Sequence, residues 1–366
     1  MPDSLATDVP APAPGPSRRG FLRTVVAGAL TTAPYVFARR TSAAGRVLLR
    51  TFGGQIDDAA RAAVWDPFTK ATGIEVVPVV MPLAKFRALS EAGNAEVDMG
   101  ARTADSLVIS LRRKGLLEPL NYKAFKYTDP EQLIKKDQYW VPASSYSFAL
   151  GYNTEVFPAT RHPRNWAEFW DTKAFPGPRT MPDVSIVAGL LEFALIADGV
   201  AASKLYPLDV DRAFRMLDRI RPSIKKFWET GAVSEQLMAT REVVLASIAD
   251  GRVLFLMKNN APVAVERNQQ QRMYDYHIIL KGAPNRDNAL RLIDFEQQPD
   301  RQAELATLTS YGPNNKQSFR LIKPEVAKRM ASSPEYDAVS FEGNPEWWAD
   351  NLAKVNERWT TWRLQG

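Results

Sequence analysis

The chain has 366 residues, 45% hydrophobic and 24% charged, an ordinary globular composition whose length points to two domains rather than one. It has no cysteine and only two histidines, His162 and His277, which excludes disulfides and thiolate chemistry and argues against a multi-histidine metal site. Five arginines against two aspartates in the first 44 residues supply +3 of the net charge of +6; the remaining charges are interspersed, with no basic stripe interleaved with aromatics of the kind nucleic-acid binding needs.

Residues 17–24 read SRRGFLRT, followed by a mostly apolar stretch from Val25 to about Ala38 and by small residues up to Ala44. A basic region, a short apolar region and a small-residue exit are the parts of a signal peptide, and the apolar run is too short to span a bilayer. Arg18 and Arg19 before Phe21-Leu22 resemble a twin-arginine export signal, which is an address read by a receptor rather than an anchor. Residues 1–45 are therefore expected to be a leader.

The next segment, 46–52 (RVLLRTF), reads as a strand stopped by Gly53-Gly54. Ile56, Ala60, Val64 and Phe68 recur at four-residue spacing, predicting a helix that Pro67 kinks or shortens. Segment 75–81 is a second strand, with Pro78 marking an edge or bulge. A helix over 83–92, a strand over 97–101 and a helix over 104–114 follow. This alternation predicts βαβ units and a largely parallel sheet. Strands are expected at 139–143 and 148–152, and Asn165 with Glu168 three residues on forms a capping-box pattern. Helices are predicted at about 186–198, 210–220 and 241–250, strands at 253–257 and 276–280, then helices at about 287–296, 299–308, 324–331 and 345–361. Trp347, Trp348, Trp359 and Trp362 in the last helix read as core packing.

Five stretches in this order resemble one family: DPFTKATGIEVVPV (66–79), VDMGARTADSLVISLRRKGLLEPLN (97–121), VPASSYSFALGYNTEVF (141–157), NWAEFWDTKAFPGPRTMPD (165–183) and NALRLIDFEQQPDRQAELATLTSYGPNN (288–315). The chain resembles the periplasmic solute-binding proteins of bacterial ABC importers, and among them the spermidine/putrescine-binding group. The resemblance implies an α/β, two-lobe periplasmic-binding-protein fold of type II, with crossover strands joining the lobes and a ligand cleft between them. One lobe is expected at 46–149 with 281–318 and the other at 150–276, with the C-terminal helices, 319–366, packing on the second. The role implied is to capture a small-molecule ligand in the periplasm and deliver it to ABC permease subunits in the inner membrane. A monomer, no cofactor and no nucleic-acid partner are expected.

The expected ligand-binding residues are Phe52, Gly54, Thr103, Tyr146, Asp183, Ser185, Asn259, Asp275 and Tyr311. Phe52 takes the place of an aromatic residue of the polyamine binders, and Gly53-Gly54 is either a site for close backbone approach or a plain tight turn. Thr103 falls where the family has a cleft hydroxyl. Tyr146 suits hydrogen bonding or stacking on a cation, or half-buried packing. Asp183 and Ser185 lie before a helix and are either ligand contacts or caps. Asp275 falls where a family aspartate grips an amine, because a partly desolvated carboxylate pairs strongly with an ammonium. Tyr311 matches a cleft tyrosine. Met257 and Met273 stand in places where the family has aromatics. Lys258 would repel an amine, whereas Asn259 suits an amide or hydroxyl. The ligand expected is thus a polyamine or related amine, the alternatives being an amino-acid derivative or opine, or a metal ion. An exported hydrolase is the alternative of another class, but no G-x-S-x-G, H-E-x-x-H or Walker pattern occurs.

Overall fold

The computed structural model describes residues 45–365. The leader inferred from the sequence, with Arg18 and Arg19, lies outside the described residues.

The chain opens with β1 (Arg46–Thr51), α1 (Gln55–Ala60), one π turn (Arg61–Trp65) and α2 (Asp66–Thr72). Pro67 does not end this helical run, which continues to Thr72. It has no N–H to offer the Ala63 carbonyl, the π turn sits immediately before it, and Arg301 Nη1 donates to that carbonyl over 3.1 Å. Gly73, with φ of +72°, terminates α2 in the left-handed conformation that glycine adopts most easily. Next come β2 (Glu75–Val80), α3 (Leu83–Glu91), β3 (Met99–Thr103), α4 (Asp105–Arg113) and β4 (Trp140–Asn153). Then follow α5 (Trp166–Trp170), β5 (Arg179–Pro182), α6 (Leu191–Ala197), α7 (Val210–Ile220), β6 (Ile224–Trp228), α8 (Gly231–Ala239), β7 (Leu245–Ala249), α9 (Asp250–Lys258) and β8 (Val263–Ile279). The chain finishes with α10 (Arg286–Glu296), α11 (Pro299–Thr309), α12 (Pro324–Ala327), β9 (Ser340–Glu342) and α13 (Pro345–Leu364).

The strands form one mixed sheet in the order β2-β1-β3-β8-β4-β7-β5-β6, with β9 added beside β8. It is not largely parallel: β3 and β7 both pair antiparallel to the long strands β8 and β4, which pair antiparallel with each other. Pro78 sits on the edge strand β2, opposite Leu49, where the missing N–H leaves no ladder bond unmade.

Two apolar regions flank the crossing of β4 and β8. One, around β1, β3, α2, α4 and α10, contains Val47, Leu49, Phe68, Leu107 and Leu292. The other, around α5, α6 and α7, contains Trp166, Phe193, Phe214 and Leu217. The β4–β8 ladder passes from one region to the other at Ser145–Tyr146, opposite Tyr274 and Met273. Trp348, Trp359 and Trp362 of α13 are buried in the second region, as their aromatic bulk requires. Residues 319–331 go elsewhere: Ile322 and Met330 pack against Ala303 and Ala306 of α11. The first two turns of α13 also reach back to α4, where Glu346 pairs with Arg112 and Arg113, and Asp350 with Arg113.

Several elements differ from the sequence expectation. The strands expected at 139–143 and 148–152 are one, β4, because the polar run Ser144–Ser147 is buried and stays in the ladder. The helix expected at 241–250 is β7, a central strand with Leu245, Ala246 and Ile248 fully buried between β4 and β5. The strand expected at 253–257 is α9: Val253, Leu254 and Leu256 face inward, while Phe255 and Met257 are left exposed. The expected 276–280 strand is the end of the 17-residue β8. Its polar stretch is buried with partners, since Gln270 Nε2 donates to the Ala331 carbonyl and Gln271 Oε1 accepts from Gly189 N–H. The helix expected from 186 begins only at Leu191.

The N-cap half of the expected box forms, and the return bond goes to the residue before the cap. Asn165 Oδ1 accepts from Glu168 N–H at 2.8 Å, and Glu168 Oε2 accepts from Arg164 N–H at 2.8 Å. Asn165→Ala is expected to destabilise the protein by about 1 kcal/mol, read as a lower urea midpoint with unchanged slope.

Candidate functional site

The site lies where β1 and β3 of the first region end, beside the β4–β8 crossing and the end of β7. Strand carboxyl ends are where α/β sheets present ligand-contacting groups. Four patches of side chains meet there.

The first is the tip of β1. Arg50 is fully buried and its Nε donates to the Met81 carbonyl over 2.9 Å. Its guanidinium carbon lies 3.7 Å from the centre of the Phe52 ring, which is 56% exposed. Burial pulls the Arg50 pKa down to about 10, while Asp275 and Asp57 push the other way. Gly53 and Gly54 both have φ of +75°. The Gly53 N–H is occupied by Asp57 Oδ2 (3.1 Å) and Thr51 Oγ1 (3.3 Å), so this turn is closed on itself. Gly54 has nothing within reach of a Cβ.

The second is the tip of β3, where the register shifts between Gly100 and Thr103. Arg102 adopts φ of +53°, a strained conformation for a side chain of its size and one that gathers at functional sites. The bulge aims Arg102 at the crossing, where its Nη1 donates to Ser144 Oγ over 2.7 Å. Thr103 is fully buried and its Oγ1 has no partner among the described residues. Asp105, opening α4, is half-buried beside the Tyr276 hydroxyl. Desolvation raises its pKa to about 6 against the hydrogen bond from Tyr276 and the charge of Lys135.

The third is the crossing itself. Asp275 is opposite Ser144 in the ladder, and no hydrogen bond to its carboxylate forms among the described residues. Burial raises its pKa to about 6; Arg102, His277 and Arg50 pull it down, and Asp105 pushes it up. The Tyr146 ring lies 5.9 Å from the Tyr311 ring and 6.3 Å from that of Phe148. Burial, then the field of Asp275, raises both tyrosines, Tyr311 to about 12, so both remain hydroxyl donors at neutral pH. Behind Asp275, the buried His277 Nε2 is 2.9 Å from Glu296 Oε1, close enough for an ionic contact without hydrogen-bond alignment.

The fourth comes from the second region. Asp250, at the end of β7, accepts from the N–H groups of Ser147 and Gly251 at 3.0 Å each and pairs with buried Arg267 at 3.0 Å. Gly251 lies so near Tyr311 that a Cβ would come within 2.7 Å of its Cε1, which is why a residue without a side chain stands there. Trp228 stacks on Phe148 at 5.9 Å, 5° from parallel.

Of the residues expected from the sequence, the structure gathers Phe52, Thr103, Tyr146, Asp275 and Tyr311, with Gly54 at the rim. Asp183 and Ser185 act on each other instead. Asp183 Oδ1 accepts from Ser185 N–H and Oγ, and Oδ2 accepts from Trp359 Nε1 over 2.7 Å, so the capping alternative describes them. Asn259 sits at the C-terminus of α9, its amide donating to the Phe255 carbonyl, and does not join the group. The sequence puts it after a strand, but residues 250–258 form the helix α9. Arg50, Arg102, Asp105 and Asp250 were missed. Only Arg50 carries a sequence signal, as a charge inside the apolar run RVLLRT.

A model of the bacterial extracellular solute-binding protein family matches residues 63–334. The gamma-aminobutyric acid-binding protein of Pseudomonas aeruginosa is 28% identical over 319 residues, covering 85% of this chain and 89% of the relative. The spermidine/putrescine-binding periplasmic protein of Escherichia coli is 22% identical over 299 residues, 78% and 82% of the two chains. Among solved structures, a GABA receptor superposes with a TM-score of 0.77 at 33% identity, over 87% of this chain and 97% of that one. A periplasmic binding protein from A. tumefaciens in complex with agropinic acid gives 0.72 at 31% identity, over 87% and 98%.

Proposed function

This chain belongs to the bacterial extracellular solute-binding protein family, whose members capture small solutes for ABC transporters, and on that premise we propose that its own solute is a small organic amine held at Asp275. The two-lobe fold supplies a cleft that closes around a ligand bridging both sides. We place the chain in the periplasm, exported by the twin-arginine route, acting as a monomer that delivers its solute to permease subunits and performs no chemistry.

The observation that carries this proposal is the Asp275 carboxylate, half-buried, without a hydrogen bond among the described residues and close to two tyrosines. A carboxylate in that position is destabilised as long as it is alone, and an ammonium relieves it with a charge-assisted hydrogen bond. Tyr146 and Tyr311 add aromatic faces for the cation. The names of the relatives favour two amine classes, polyamines and amino acids such as gamma-aminobutyric acid. The test is a thermal-shift screen with putrescine, spermidine, gamma-aminobutyrate and opines, since a ligand specific for the native state raises the melting temperature by mass action. A rise with at least one amine is expected; a response to none of them, with a rise for neutral sugars, would discard the amine.

Binding should depend on pH through Asp275. Its pKa in the free protein is raised to about 6, and an ammonium pairs with the ionised form only. Affinity for the amine is therefore expected to be flat above about pH 6 and to fall roughly tenfold per pH unit below it. Calorimetry in buffers of different ionisation enthalpy should record proton release on binding near pH 5–6.

A further inference from the structure

We propose that the tip of β1 and β3 is an anion subsite, in which Arg50 and Thr103 hold the carboxylate of a solute whose ammonium lies on Asp275, so that the ligand is a short zwitterion rather than a diamine. The inference rests on the amine assignment above and narrows it.

Buried groups left without partners are the starting point. Arg50 is fully buried, and neither Nη1 nor Nη2 has a hydrogen-bond partner among the described residues. Only its Nε is used, by the Met81 carbonyl. No carboxylate among the described residues forms an ion pair with it: Asp57 is turned to the Gly53 N–H, and Asp275 acts on it only at longer range. A buried guanidinium in this state is costly, and its two free N–H edges form the fork that matches a carboxylate.

A second unpartnered group stands beside it. Arg50 is opposite Gly100 in the β1–β3 ladder. A Cβ on Gly100 would lie 2.6 Å from Thr103 Oγ1 and 2.8 Å from Phe86, so the Thr103 hydroxyl, itself unpartnered and fully buried, occupies the space over the residue that Arg50 faces. Phe86 and Phe52 wall the guanidinium on two sides, at 5.5 and 3.7 Å from its carbon. Phe52 is the exposed wall and is followed by two glycines in left-handed conformations. A buried guanidinium with an unused fork and a half-buried carboxylate without a hydrogen bond are both satisfied by a ligand carrying both charges. A diamine leaves Arg50 unmatched and brings a second positive charge towards it.

The test compares three probes of equal chain length on the purified full-length protein by calorimetry: gamma-aminobutyrate, n-butylamine and putrescine. Arg50→Gln is expected to weaken gamma-aminobutyrate by about 10- to 100-fold, the worth of a charged hydrogen-bonded pair, to leave n-butylamine within about twofold, and to tighten putrescine. Equal weakening of all three, or an unchanged affinity for gamma-aminobutyrate, overturns the subsite while leaving the amine assignment standing. If the wild type binds none of the three, the subsite for a short zwitterion falls, while the amine assignment stands or falls with the thermal-shift screen. Should Arg50→Gln fail to fold, Arg50→Lys keeps the charge but loses the fork, and must show the same selective loss in smaller size; an unchanged preference overturns the proposal.

Discussion

Asp275→Asn is expected to weaken the amine ligand by about 1.5–3 kcal/mol, roughly 10- to 150-fold, while making the ligand-free protein more stable above pH 6. The two effects have opposite signs for one reason. Asparagine keeps the shape but removes the negative charge, so the ammonium loses a charge-assisted hydrogen bond. Without ligand the same charge is a liability, because burial raises the folded-state pKa from 3.8 to about 6. Between these values the folded state holds more protons than the unfolded state, so the contribution of this group to stability falls as pH rises through the window and stays low above it. Thermal melts at pH 7.5 should show a higher midpoint for the variant, and titration calorimetry at the same pH a weaker affinity. A variant that melts lower and binds equally would mark Asp275 as a structural residue.

Arg267→Met should be the most damaging single change outside the apolar cores, destabilising by about 3–5 kcal/mol, the usual cost of stranding one partner of a buried ion pair. Arg267 and Asp250 are 5% and 2% exposed at 3.0 Å. Arg267 also donates to Ser147 Oγ, Gln270 Oε1 and the Arg329 carbonyl, so its loss frees one charge and three further acceptors. Urea denaturation measures the effect. Adding Asp250→Asn should recover part of it, since the stranded charge is then gone, and a double variant no better than the single would show that packing of the arginine stem matters more than charge. Binding should suffer as well, because Asp250 fixes the N–H groups of Ser147 and Gly251, and Gly251 abuts Tyr311.

Local signals in the sequence were sufficient wherever one element decides its own structure. The helices at 210–220, 287–296 and 299–308 are found within a residue or two, because their apolar spacing has the helical period and their ends carry caps or proline. The Asn165 cap and the edge position of Pro78 follow equally from local chemistry. Family resemblance, rather than periodicity, supplied the two-lobe architecture and brought Thr103, Tyr146, Asp275 and Tyr311 to one cleft.

Tertiary structure alone decided the middle of the chain. REVVLASIAD has no feature that prevents a helix, and VLFLM none that prevents a strand, yet the first is a strand and the second a helix. What settles them is burial on both faces between β4 and β5 for one, and one-sided burial for the other, and neither is visible in a window of ten residues. The polar strand β8 is possible only because Gln270 and Gln271 find partners more than sixty residues away in sequence. The charges of the cleft follow the same rule. A sequence shows that Arg50 and Asp275 exist, but whether a charge is paired depends on what folds against it, and here the fold leaves a buried guanidinium fork and a half-buried carboxylate without hydrogen-bond partners among the described residues, which gives a ligand something to bind.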